Sequence, residues 1–141
     1  MNARFVDNCD GTVTDTWTGL MWTKATVARS QTHGQATDAV KQLDVGGFTN
    51  WRLPNDHELL SLVDRSRYRP AIDTEVFPNT ENDWYWTNTL CAWDSSCAWV
   101  VYFDNGYADY DHRSDGACVR AVRSGPAGQS SLPSALSKAS A

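Results

Sequence analysis

Residues 84–123, WYWTNTLCAWDSSCAWVVYFDNGYADYDHRSDGACVRAVR, hold four of the seven Trp, four of the five Tyr and three of the four Cys. No other stretch limits the possible folds as much. Residues 84–86 and 119–123 read as buried strands at its two ends. Residues 98–103 alternate two apolar faces, as a strand covered on both sides does. Turn signals follow at Asp104-Asn105-Gly106 and Asp115-Gly116. Trp86 and Trp99 therefore read as core. Between the strands lie Asp, Asn, Ser, Tyr, His and Arg, a polar and aromatic middle on a rigid frame. Such a frame is a common support for a binding surface.

The rest of the chain supplies that frame. Arg4-Phe5-Val6 starts a strand, residues 7–11 turn it, and Thr12-Val13-Thr14 returns in β-branched residues. Thr18-Gly19 makes the next turn, and Leu20-Met21-Trp22 is a third short strand. Asp7, Asp10 and Asp15 do not fit an EF-hand loop and read as acceptors of backbone N–H bonds in turns. Residues 30–34 read as a loop. Ala36, Ala39, Val40 and Leu43 have helical spacing, and Gly46-Gly47 stops that helix. Residues 48–54 run extended into Pro54. Asn55 and Glu58 have the spacing of a capping box, and the helix they open turns Leu59, Leu60, Leu62 and Val63 inward. His57 has no nucleophile beside it and reads as an exposed first-turn residue. Arg65, Arg67 and Arg69 make a local basic cluster in an irregular connector. From residue 124 onward Ser, Ala, Gly and Pro dominate, as in a flexible tail.

The 141 residues fit one domain, residues 1–123, with a tail over 124–141. A net charge of −5 argues against a nonspecific nucleic-acid partner, since phosphate binding needs a basic footprint. No apolar run approaches the roughly 20 residues of a transmembrane helix. The N-terminal residues lack a signal-peptide core, so an extracellular, cell-surface or periplasmic chain is expected to have lost its leader. Four cysteines permit three pairings. Cys91 and Cys97 bracket a plausible tight loop, and a bridge there is the expectation. No cysteine spacing fits zinc, and no cofactor is expected.

Several segments together resemble a known family. They are residues 4–15 (RFVDNCDGTVTD), 18–22 (TGLMW), 47–54 (GFTNWRLP), 58–64 (ELLSLVD), 85–87 (YWT) and 119–123 (VRAVR). In this order they look like the bacterial DUF1566 or Lcl C-terminal domain family, named after a collagen-like adhesin. The resemblance implies an α+β domain of C-type-lectin-like fold. In that fold two helices pack on small antiparallel sheets, and the N- and C-terminal strands pair. Relatives usually have Gly where this chain has Cys9. If the terminal strands pair, a Cys9–Cys118 bridge becomes conceivable. The adhesin's sulfated ligand does not transfer, because Asp104, Asp109, Asp111 and Asp115 stand here against Arg113.

The expected function is noncatalytic recognition or adhesion. The candidate surface is Trp93, Asp94, Ser95, Ser96, Asn105, Tyr107, Asp109, Tyr110, Asp111, His112, Arg113 and Asp115. Aromatic rings offer rigid area, and short polar side chains offer adaptable hydrogen bonds, so a glycan or a protein is the expected ligand. Residues 104–118 are also rich in the types that adenine mutagenesis of Asn codons reaches. That composition resembles the variable patch of proteins diversified by retroelements. Two further alternatives are a thiol or copper oxidase using Cys91 and Cys97, like the formylglycine-generating relatives of this fold, and an assembly module, for instance a homotrimer.

Overall fold

The computed structural model describes residues 4–124. The strands are Phe5–Asp7 (β1), Thr12–Asp15 (β2), Leu20–Thr23 (β3), Ala28–Gln31 (β4), Trp84–Cys91 (β5), Asp94–Tyr102 (β6), Tyr107–His112 (β7), Ala117–Val119 (β8) and Val122–Ser124 (β9). Two α-helices, His33–Lys41 (α1) and Asp56–Leu60 (α2), lie between β4 and β5. The class is α+β, as expected. The proposed tail, residues 124–141, lies outside the described residues except for Ser124, which ends β9.

Two sheets form. One has the order β1-β2-β3-β9 and the other β4-β8-β5-β6-β7. In the first sheet the terminal strands do not pair as expected. β9 pairs with β3, through Leu20↔Ser124 and Trp22↔Val122, so β2 and β3 separate it from β1. The segment expected to be one last strand is in fact two. β8 lies antiparallel to β4 and parallel to β5 in the second sheet, and the chain then crosses at Arg120-Ala121 into the first. Residue 52 follows the same seam, exchanging two backbone bonds of 2.9 Å with Val122.

The second sheet has a core on each face. Tyr85, Val101, Phe103 and Cys118 join Leu59, Leu62, Ile72 and Phe77 on one side. Trp86, Ala98, Val100, Ala117 and Val119 join Ala36, Val40, Trp51 and Leu53 on the other. Val100 and Val101 are both buried, which bears out a strand covered on both sides. Helix α1 covers the second face with His33, Ala36 and Val40, an i, i+3, i+7 stripe. It begins earlier than expected, because Thr32 and Gln35 form a capping box and residues 28–31 are strand. Helix α2 has the expected box. Glu58 N–H donates to Asn55 Oδ1 at 2.7 Å, and Asn55 N–H donates to Glu58 Oε1 at 2.8 Å. Arg52 then clamps both Glu58 oxygens, at 2.7 and 2.8 Å. Burial opposes ionisation of Glu58, but Arg52 and the Asn55 N–H outweigh it and hold the carboxyl below its usual range.

The aspartates of the first turns act as acceptors, as expected. Asp7 accepts from Cys9 N–H, Asp10 from Thr12 N–H, and Asp15 from Trp17 N–H. Buried Asp15 also takes a bidentate bond from Arg4, at 3.1 and 2.8 Å. Two of the three clustered arginines are paired with acids: Arg67 with Asp64 and Asp73, and Arg69 with Asp104.

Candidate functional site

Strands β6 and β7 form a hairpin whose register follows from its turn. Gly106 has φ +84°, which glycine adopts freely. A Cβ there would come within 2.6 Å of Val63, so the turn is pressed against the segment after α2. From this fixed end the pairs run Tyr102↔Tyr107, Val101↔Ala108, Val100↔Asp109, Trp99↔Tyr110, Ala98↔Asp111 and Cys97↔His112.

Cross-strand partners share a face, and successive residues alternate faces. Tyr110 and His112 therefore lie on one face with Trp99, while Tyr107, Asp109 and Asp111 lie on the other. The residues expected to form one surface are split by the sheet. On the first face Trp93 folds back from the β5–β6 turn onto the hairpin. Its ring centroid is 5.1 Å from that of Tyr110 and 5.9 Å from that of Trp99, with interplanar angles of 84° and 89°. The Trp99 and Tyr110 rings are 6.1 Å apart at 80°. Each pair meets edge to face, the arrangement the ring quadrupole favours. Trp93 is 60% exposed and Tyr110 50% exposed.

Trp99 corrects an expectation. It is half-buried and completes this surface cluster, whereas Trp86 is fully buried as expected. The cover of α2 extends over Val101 and Phe103 but leaves Trp99 partly open. Counting back from the Asn105-Gly106 turn sets Trp99 opposite Tyr110, so the sequence did carry a signal for its place.

The polar members are already engaged. Asp94 Oδ1 accepts from the Ser96 N–H and hydroxyl at 2.9 and 2.7 Å. Those bonds, aided by His112, hold its carboxyl below the usual range. Asp109 and Asp111 each accept the N–H of the following residue, Tyr110 and His112, at 2.8 Å. Asp111 is pushed up by burial and by a hydrogen bond with Asp115, with the charges of Asp115 and Asp109 adding to this. Asn105 accepts from Tyr107 N–H in the turn, at 3.2 Å. Ser95 and Ser96 contribute carbonyls to Arg113, from its guanidinium at 3.3 Å and its backbone N–H at 2.8 Å.

The expected Cys91–Cys97 bridge is not formed, and all four cysteines are free thiols. The hairpin turn closes at Cys91↔Asp94, while Cys97 sits inside β6 opposite His112. Burial pushes the Cys91 thiol up, and Cys97 and Asp94 add to that. A Cys9–Cys118 bridge is also absent. Cys9 is exposed in the β1–β2 turn, and Cys118 is buried in the other sheet beside Asp83. His57 is exposed, as expected. Among the described residues no three His, Cys, Asp or Glu side chains converge as a metal site requires. No helix among them is long and apolar enough to cross a membrane. Clefts of about 560 and 300 Å³ open around residues 62–76, with no residue of the aromatic cluster in their walls.

Fold and surface together define a small α+β scaffold that carries an exposed aromatic cluster on an edge hairpin. The family model of the Lcl C-terminal domain matches residues 11–123, and the chain belongs to that family. Comparison with curated proteins finds no match.

Proposed function

We propose that this chain is a noncatalytic recognition domain of C-type-lectin-like fold, working at a cell surface or in the periplasm. It binds a glycan or protein through Trp93, Trp99 and Tyr110. The observation that carries this reading is the three-ring cluster, exposed on a hairpin whose other end is anchored in the core. Water-exposed Trp and Tyr on a rigid support give contact area at low entropic cost. Sugar CH faces stack on such rings, and Asp94 and His112 stand beside them to meet hydroxyls. The direction of the Cys91 shift disfavours the thiol-oxidase alternative, since reactive thiols are acidified.

A glycan array followed by calorimetry on the best hit tests the reading. Trp93→Ala and Tyr110→Ala are each expected to weaken binding 10- to 100-fold, about 1.4–2.7 kcal/mol. Unchanged affinity in both variants would remove this surface from consideration.

One observation favours retroelement diversification as a second reading. Asn105, Tyr107, Asp109, Tyr110, His112 and Asp115 are all exposed, while Phe103, Gly106 and Ala117 around them are buried. Such positions accept substitution without disturbing the core. A neighbouring reverse-transcriptase gene with a near-copy of this coding stretch is the expected genomic sign.

A further inference from the structure

His33 lies outside the proposed surface but is bonded to it. It is the first residue of α1, and its ring is buried edge-on against Trp86, with centroids 5.2 Å apart. Nε2 lies 2.9 Å from the Thr87 carbonyl oxygen, which can only accept, so Nε2 carries the hydrogen. Nδ1 lies 3.3 Å from Arg113 Nε, which can only donate, so Nδ1 carries a lone pair. Both contacts require the same tautomer, a neutral ring protonated at Nε2. The two residues meet again through the backbone, where His33 N–H donates to Arg113 O at 3.0 Å. Arg113 passes the constraint on, donating from its guanidinium to Ser95 O and from its backbone N–H to Ser96 O. A continuous run of hydrogen bonds therefore joins Thr87 in the core to the segment that directly follows Trp93.

We infer that His33 is the positioning residue of this surface. Its neutral ring holds Arg113, and Arg113 fixes residues 94–96 beside the aromatic cluster. The inference rests on the recognition reading for its purpose but on bond geometry for its mechanism. A proton on Nδ1 would set N–H against N–H and place two cations together, so Arg113 would let go. The strands and loops around the ring carry the titratable or charged groups Arg29, Asp94, Asp111, His112, Arg113 and Asp115, and α1 carries Asp38 and Lys41. β5 carries no carboxylate or cationic side chain, and its titratable groups are the Tyr85 phenol and the Cys91 thiol. Burial, and after it the charge of Arg113, keep the ring from protonating, against the partial support of the Thr87 carbonyl. The clasp is therefore closed at neutral pH and opens on acidification.

The test needs no ligand. Side-chain and amide NMR of ¹⁵N-labelled protein is followed from pH 8 to pH 4.5. The expected result is an Nε2–H tautomer for His33 and a resolved Arg113 Nε–H signal at high pH. That signal should disappear as His33 titrates, with the amides of residues 93–96 shifting at the same midpoint. His33→Asn offers an acceptor near Nδ1 and cannot titrate, so it should keep the Arg113 signal through the His33 transition. Arg113→Ala, at an exposed position, should move the His33 midpoint upward and shift the 93–96 amides at neutral pH. An Nδ1–H tautomer, an Arg113 signal indifferent to His33, or an unmoved midpoint in Arg113→Ala would overturn the inference. A ligand screen that finds nothing for Trp93 changes none of these signals, so the two ideas fail separately.

Discussion

Arg120 brings a charge into the core, and among the described residues no carboxylate meets it. Its side chain is fully buried, donating to Thr23 O and Lys24 O at 2.7 and 2.8 Å and to Thr80 Oγ1 at 2.7 Å. The Phe77 ring lies 4.7 Å from the guanidinium carbon, while Nε has no hydrogen-bond partner among the described residues. Burial lowers its pKa to about 10. Residues 119–123 read from sequence as one strand, and nothing in the alternation says that this arginine turns inward. Cys9 was more legible. Its φ of +61° falls where glycine is favoured, in line with the turn read for residues 7–11. Cys9→Gly is expected to raise stability by roughly 0.5–1 kcal/mol, after the entropic cost of glycine is set against the strain relieved. Urea denaturation measures the change, and a loss of stability would show that the turn is unstrained. The two capping boxes mark the limit of local reading. The Asn55–Glu58 box was visible beside Pro54, whereas the Thr32–Gln35 box was obscured by Gly34, a poor helix former in its first turn.

Among the elements, β7 is at the edge of the five-stranded sheet. An edge strand offers free N–H and C=O groups to any neighbouring strand. Here the Tyr110 and His112 N–H groups are already bonded to the preceding aspartates. The aspartates also give the edge a negative charge, which discourages pairing with a second copy. Replacing both Asp109 and Asp111 by Ala is expected to convert part of the protein to dimers or larger species at high concentration. Sedimentation velocity would detect them, and a profile identical to the parent chain would count against the guarding role. The strand itself was legible from Asn105-Gly106 and the residues after it. Its facing was not, because composition groups these residues together, whereas strand alternation sets Tyr110 against Asp109 and Asp111. Only pairing with β6 sorts them.

For the whole molecule, pH dependence gathers several of these groups. His33 titrates below its ordinary 6.5 in the fold, so the unfolded chain protonates first. Its contribution is complete above pH 6.5 and is lost as pH falls toward the folded value. Asp15 and Glu58 are held below their ordinary 3.8 and 4.5, burial notwithstanding, by Arg4 and Arg52 and by backbone N–H groups. Their contribution is complete well above those values and is lost as pH falls through the folded ones. Asp111, raised in the fold, acts in the opposite sense and offsets part of the second loss. The urea midpoint is therefore expected to fall in two steps, one beginning near pH 6.5 and one near pH 4.5. His33→Asn should remove the first step alone, and a single acid step in the parent chain would contradict the assignment. The α+β class and most elements were legible, because turn residues and apolar periodicity are local signals. The split of the last strand between two sheets was not, since it depends on partners about a hundred positions earlier in the chain.

That split has a consequence for synthesis. Strand β3 has β2 beside it early but lacks its second neighbour until Ser124 is made, and β4 has no strand partner until Val119 is made. On the ribosome, neither sheet can close until the last of these residues has left the exit tunnel. Until then Met21, Trp22 and the apolar side of α1 lack β8 and β9 as cover. The domain therefore completes its fold only once residues 117–124 have emerged. In that interval its early apolar segments stay open to water, where a partly folded chain is most prone to aggregate.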